Sequence, residues 1–171
     1  IAQLNNEFYL GDRRVPKILL VDEAWEAFED PMVAKFLEGA FRRMRKAAAA
    51  PVVVTQSLRD LYNSASGEAI ANNAANVIVL RQNGEAIEAL KESGRFNIGD
   101  YGYEMLKSLH TEPGQYSEVL FRSGTAWGVG RFVVDRFSQL LYSTMASEVA
   151  ALRALRDSGK RYESGPDWLA R

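Results

Sequence analysis

An α/β fold with a mainly parallel sheet flanked by helices is predicted by three features of this sequence. Short apolar runs occur at residues 17–21 (KILLV), 52–54 (VVV) and 76–80 (NVIVL). Their continuity is the mark of strands covered on both faces. Each run ends in polar or acidic side chains, and a parallel sheet presents its chemistry at the carboxyl ends of its strands. Between the runs, apolar residues recur at helical spacing. Strand, helix, strand, helix, strand in this order predicts right-handed crossovers.

Taken in order, residues 1–16 read as a helix end and a loop punctuated by Gly11, Asp12 and Pro16. The strand at 17–21 runs into Asp22 and Glu23. In nucleotide hydrolases an acid at such a rim holds Mg²⁺ through water, and its neighbour orients or deprotonates the attacking water. A core strand ending in a solvated acidic turn is the plainer alternative. Asp30-Pro31 starts a helix, with Asp30 as cap and Pro31 in the first helical position. Val33, Phe36, Leu37, Ala40, Phe41 and Met44 form its apolar face, and Glu38 and Arg42 an i,i+4 pair. Arg42, Arg43, Arg45 and Lys46 crowd its end, where cations complement the helix dipole. Pro51 leads into a second buried strand over 52–57. Residues 57–75 are helix and loop, and 76–82 a third strand of the same kind.

The second half changes character. Residues 84–93 and 99–110 read as two short helices, and 116–121 and 127–134 as strands of a hairpin turning at Ser123-Gly124-Thr125. Phe137, Leu140, Leu141, Met145, Val149, Leu152 and Leu155 predict one long amphipathic helix closed by Gly159, followed by a polar tail or short helix over 160–171.

The totals narrow the function classes. The 171 residues fit one domain with a sizeable core. A net charge of −1 supplies no global field toward nucleic acid or anionic lipid. No cysteine is present, which removes disulfides and thiolate metal sites. No apolar run approaches the ~20 residues that cross a bilayer. His110 is the single histidine, so a zinc site has no ligand set and a serine triad only one base. Trp25 and Trp127 read as packing residues. The sequence opens on Ile1 rather than Met, as a piece of a longer chain would.

Six words of this sequence resemble, in order, a known family: residues 17–25 (KILLVDEAW), 41–46 (FRRMRK), 55–57 (TQS), 80–82 (LRQ), 114–118 (GQYSE) and 131–144 (RFVVDRFSQLLYST). The chain is similar to the C-terminal ATPase domain of TraC-type proteins, motor ATPases of conjugative type IV secretion systems. The resemblance implies a RecA-like P-loop fold that assembles as a homo-oligomeric ring, usually of six. It implies ATP and Mg²⁺ as ligands, Asp22 as the Mg²⁺ acid, Glu23 as the water-activating acid and Gln56 as the γ-phosphate sensor. Arg45 resembles the arginine supplied in trans to a neighbour's nucleotide, a role that suits a guanidinium fork. Arg81 and Arg131 are weaker candidates for it.

The word G-x-x-x-x-G-K-[ST], whose amides cradle phosphates, does not occur. The family carries it upstream, so residues 1–171 are expected to be the C-terminal part of a single P-loop ATPase domain, from the Walker B strand onward. Alone, such a piece is expected to hydrolyse little or no ATP and to leave sheet edges open for partnering. The implied activity is ATP hydrolysis driving pilus assembly and transfer of DNA or protein. Implied partners are inner-membrane secretion components and, indirectly, a DNA or relaxase substrate. The implied location is cytoplasmic, peripheral at the bacterial inner membrane. Two other readings are a ring DNA translocase of the same superfamily and, for the isolated piece, a non-catalytic interaction module.

Overall fold

A computed structural model describes residues 1–157 of the chain. It begins with α1 (Ala2–Asn5), continued by a π-helical turn over Asn6–Leu10 that buries Phe8. The loop after it is held by Arg14, which grips the Asp12 carboxylate at 2.9 Å. β1 (Lys17–Val21) follows where the apolar run predicts it. A short α2 (Ala24–Glu29) leads to α3 (Pro31–Arg43). Asp30 caps α3 as its position suggests: Oδ1 accepts from the Met32 and Val33 amides at 2.8 and 3.1 Å. The Glu38–Arg42 pair forms at 2.7 Å. The helix buries Ala34, Leu37 and Ala40, and a 3₁₀ turn over Met44–Ala47 hands the chain to β2 (Ala49–Val53).

β1 and β2 pair in parallel, from Lys17↔Ala49 to Val21↔Val53. Val54 N–H donates to Val21 O and Ala24 N–H to Val54 O, both at 2.9 Å, so the ladder runs on past the strands and ties their carboxyl ends together. Because the Val54 amide faces β1, two-residue alternation turns Pro51 to the far edge of β2. A residue with no N–H to donate is tolerated there.

The chain then forms α4 (Leu58–Tyr62), α5 (Ala65–Asn73), β3 (Asn76–Val79), α6 (Gly84–Ser93) and α7 (Gly99–Ser108). Ser57 and Asp60 close a reciprocal capping box on α4. β4 (Thr111–Glu112), β5 (Tyr116–Ser123) and β6 (Ala126–Phe132) complete the strands. β5 and β6 are joined by the two-residue turn Gly124-Thr125, with Gly124 at φ 58° as a tight hairpin of this kind requires.

Several expectations change in detail, beginning with the second strand, expected over 52–57 and found at Ala49–Val53 with Ser57 capping the next helix. Residues 76–82 were expected to extend the parallel sheet; instead β3 runs antiparallel to β5, in register Asn76↔Ser123 to Val79↔Leu120. The α/β class stands, with a parallel pair and a separate antiparallel sheet in which β5 is flanked by β6 on one edge and by β3 and β4 on the other. Nor are the first strands covered on both faces. Ile18 and Leu20 are 71% and 62% exposed, because among the described residues α3 and its neighbours cover only one side.

The predicted long helix is also interrupted. It forms α8 (Arg136–Tyr142) and α9 (Ala146–Asp157), because Ser143 leaves the helical region at ψ 137° and its hydroxyl takes the Met145 amide at 3.1 Å. A serine that offers the backbone a local partner in this way breaks helices. Arg136 reaches back to Glu148 at 3.0 Å across the bend. The closing Gly159 and the tail lie outside the described residues.

The core has two centres. The larger joins Ala71 of α5 with Tyr62, Val79, Ile87, Phe96, Leu106 and Leu120. The smaller packs Phe8, Ala40, Met44 and Ala49 under the start of the parallel pair.

Candidate functional site

The carboxyl ends of β1 and β2 bring three of the four predicted site residues together. At the end of β1 the backbone turns sharply at Glu23, which adopts φ 50°, ψ 44°. This left-handed conformation costs a residue with a Cβ roughly 1–2 kcal/mol, and such strain collects at functional sites. It sets the Glu23 carboxylate between two donors. Gln56 Nε2 donates to Oε1 at 2.8 Å across 33 residues of sequence, and Trp25 Nε1 donates to Oε2 at 2.8 Å. Asp22 sits beside it, exposed, with Oδ1 accepting the Glu23 amide at 3.0 Å.

The electrostatics follow from these contacts. The hydrogen bond from Gln56, then that from Trp25, holds the Glu23 carboxyl below the usual glutamate range; its slight desolvation opposes them. Both donors are neutral, so they favour the ionised form without cancelling its charge. Glu23 is therefore an anionic acceptor at neutral pH, in the state a general base requires.

No group of three or more His, Cys, Asp or Glu among the described residues could enclose a metal ion. A Mg²⁺ ion does not need such a group. Mg²⁺ keeps most of its water and uses one or two carboxylates beside substrate phosphates. The Asp22 carboxylate, solvent-facing at the sheet rim, has the donor chemistry for such an ion held through water.

Arg45 lies elsewhere. It is exposed in the 3₁₀ turn before β2, at the amino ends of the strands whose carboxyl ends carry Asp22, Glu23 and Gln56. Within one chain it does not reach them. Arg131 is engaged locally: its Nε meets Glu118 Oε1 at 3.3 Å and its guanidinium stacks 4.2 Å from the Tyr116 ring centre. Arg81 is exposed just past β3. His110 is an exposed residue bound to Tyr116 and Glu118.

Two roles escaped the sequence reading. Trp25, read there as a packing residue, is a ligand of the Glu23 carboxylate; an indole two residues past an acid at a helix start was the available signal. Gln82 Oε1 accepts the Leu58 amide at 3.2 Å. It thereby ties the start of α4, just beyond Gln56, to the segment 80–82.

With this geometry in place, comparison with known proteins gives consistent matches. The sequence model of the TraG P-loop domain matches residues 10–170. Protein TraC of Escherichia coli (strain K12) is 23% identical over 173 residues, covering 93% of this chain and 19% of that protein. The structure of VirB4 of Thermoanaerobacter pseudethanolicus superposes with a TM-score of 0.59 at 24% identity, covering 75% of this chain and 34% of the other. The chain thus spans about a fifth of the curated relative and a third of the solved one. The likeness to the solved chain is one of fold.

Proposed function

Because this chain belongs to the TraG P-loop domain family and has a RecA-like α/β fold, we propose that it forms the acidic half of an ATP-hydrolysing centre in a type IV secretion motor. The observation that carries this reading is the Gln56–Glu23 hydrogen bond at 2.8 Å, made at the carboxyl ends of two parallel strands. It joins a polar sensor to an ionised acid at the place where such sheets act.

The roles are as follows. Mg²⁺, when bound, neutralises charge developing on the β- and γ-phosphate oxygens. Asp22 anchors the ion through water. Glu23 accepts a proton from, or orients, the attacking water. Gln56 holds Glu23 until a γ-phosphate competes for its amide; released from Gln56, Glu23 Oε1 becomes free to take the water proton. Trp25 keeps the other oxygen fixed, so the carboxylate turns about one anchor. Arg45, at the other end of these strands, serves the nucleotide of a neighbouring copy in a ring. The hydrolysis drives pilus assembly and substrate transfer at the cytoplasmic face of the inner membrane, with the other secretion components as partners.

The test uses a protein that supplies the glycine-rich phosphate loop together with these residues. Glu23→Gln is expected to lower ATP turnover at least a hundredfold, in the range of lost general-base catalysis, while labelled ATP still binds. Turnover within threefold of the parent would remove Glu23 from its role.

A further inference from the structure

We infer that the chain carries a second anion site, for phosphate or a small phosphate monoester, at the opposite end of the β1–β2 pair from Glu23. A cavity of about 280 Å³ opens there, lined by Asn5, Tyr9, Arg13, Arg43, Lys46 and Ala47. Its three cations come from three segments: the loop before β1, the last residue of α3 and the 3₁₀ turn. No carboxylate lines it, and none of the three cations has an ion-pair partner among the described residues. Asp12 is held by Arg14 and Glu38 by Arg42, and Glu7 does not line the cavity. Complementing the α3 dipole accounts for a cation at position 43; it does not account for Arg13, which belongs to another segment.

Two further observations point to a ligand. Tyr9 Oη is buried and has no hydrogen-bond partner among the described residues, an arrangement that costs free energy unless something satisfies it. Arg43 is pre-set rather than free. Its Nε donates to Gly39 O at 3.3 Å, and its guanidinium lies 5.6 Å from the centre of the Tyr9 ring. A Cβ at position 39 would stand 2.7 Å from Arg43 Nη2 and so would displace this guanidinium. Guanidinium donors beside an ammonium match the acceptor oxygens of a phosphate. The flanking aromatic ring and the cavity's size suit a small ester better than a polymer.

The site shares no residue with the rim that carries Asp22, Glu23 and Gln56. At least the length of the five-residue β1, about 13 Å at ~3.3 Å per residue, separates it from Glu23. NMR titration of the 171-residue chain tests it, with inorganic phosphate, AMP and a short oligonucleotide as probes and chloride at equal ionic strength as control. Saturable shifts at Tyr9, Arg13, Arg43 and Lys46 with phosphate or AMP, absent with chloride, are expected. Arg43→Gln and Gly39→Ala should each weaken that binding at least fivefold. Gly39→Ala should leave the thermal midpoint unchanged or raised, since alanine is the better helix former. Shifts no larger than with chloride, shifts with the oligonucleotide alone, or unchanged affinity in both variants would each overturn the assignment.

Discussion

Glu23 illustrates how much one side chain's behaviour rests on its immediate donors. Its carboxyl is held below the usual glutamate range first by Gln56 and then by Trp25, so each donor can be removed separately. Gln56→Ala should raise the Glu23 pKa toward its ordinary value, and Trp25→Phe should do so by less. Carboxyl-carbon NMR titration reads both; no upward movement in Gln56→Ala would contradict the assigned hydrogen bond. The sign for stability follows by linkage. A carboxyl depressed by folding contributes above its unfolded pKa, and the contribution is lost as pH falls through the lower, folded value. Glu23 therefore contributes to stability at neutral pH, and the contribution fades as pH falls from the ordinary glutamate pKa through the depressed folded one. Trp25 shows the limit of reading at this scale: nothing in its type separates a packing indole from one that ligates an acid.

Among the elements, the junction of α4 and α5 is the tightest. Gly67 is buried in the first turn of α5, and a Cβ there would collide with the Leu61 carbonyl oxygen, a backbone atom. Helix propensity alone would have Gly67→Ala stabilise by up to ~1 kcal/mol. The collision predicts the reverse, a loss of about 1–3 kcal/mol as for overpacked cores. Urea unfolding decides between them by the sign of the change. Capping and turn chemistry were legible from sequence, as Asp30, Gly124 and the bounds of α6 attest. These depend on residues a few positions apart. The break between α8 and α9 was not legible, because apolar spacing continues through Ser143 while the Ser143 hydroxyl takes the Met145 amide.

Across the whole molecule, the notable feature is apolar surface left in view on the strands. Ile18, Leu20, Val52 and Val54 line one exposed face of the parallel pair, and Ile78 and Phe121, cross-strand neighbours, line one of the antiparallel sheet. Exposed contiguous apolar faces on strands drive association. The chain is expected to self-associate with rising concentration in sedimentation velocity. Leu20→Lys should shift it toward monomer while leaving the thermal midpoint within a few degrees, since Leu20 is 62% exposed. A concentration-independent monomer for the parent chain would refute this.

By itself the sequence determined the α/β class, the places of β1, α3, α6 and the β5–β6 hairpin, and the acids at the first strand's end. Each is written in local periodicity or in a cap within a few residues. Tertiary structure alone decided that Gln56 grips Glu23, that β3 joins β5 rather than the parallel pair, and that Arg13 converges with Arg43 and Lys46 on one cavity. These are contacts between side chains and strand edges far apart along the chain, where many pairings satisfy the same pattern and only packing in three dimensions selects one.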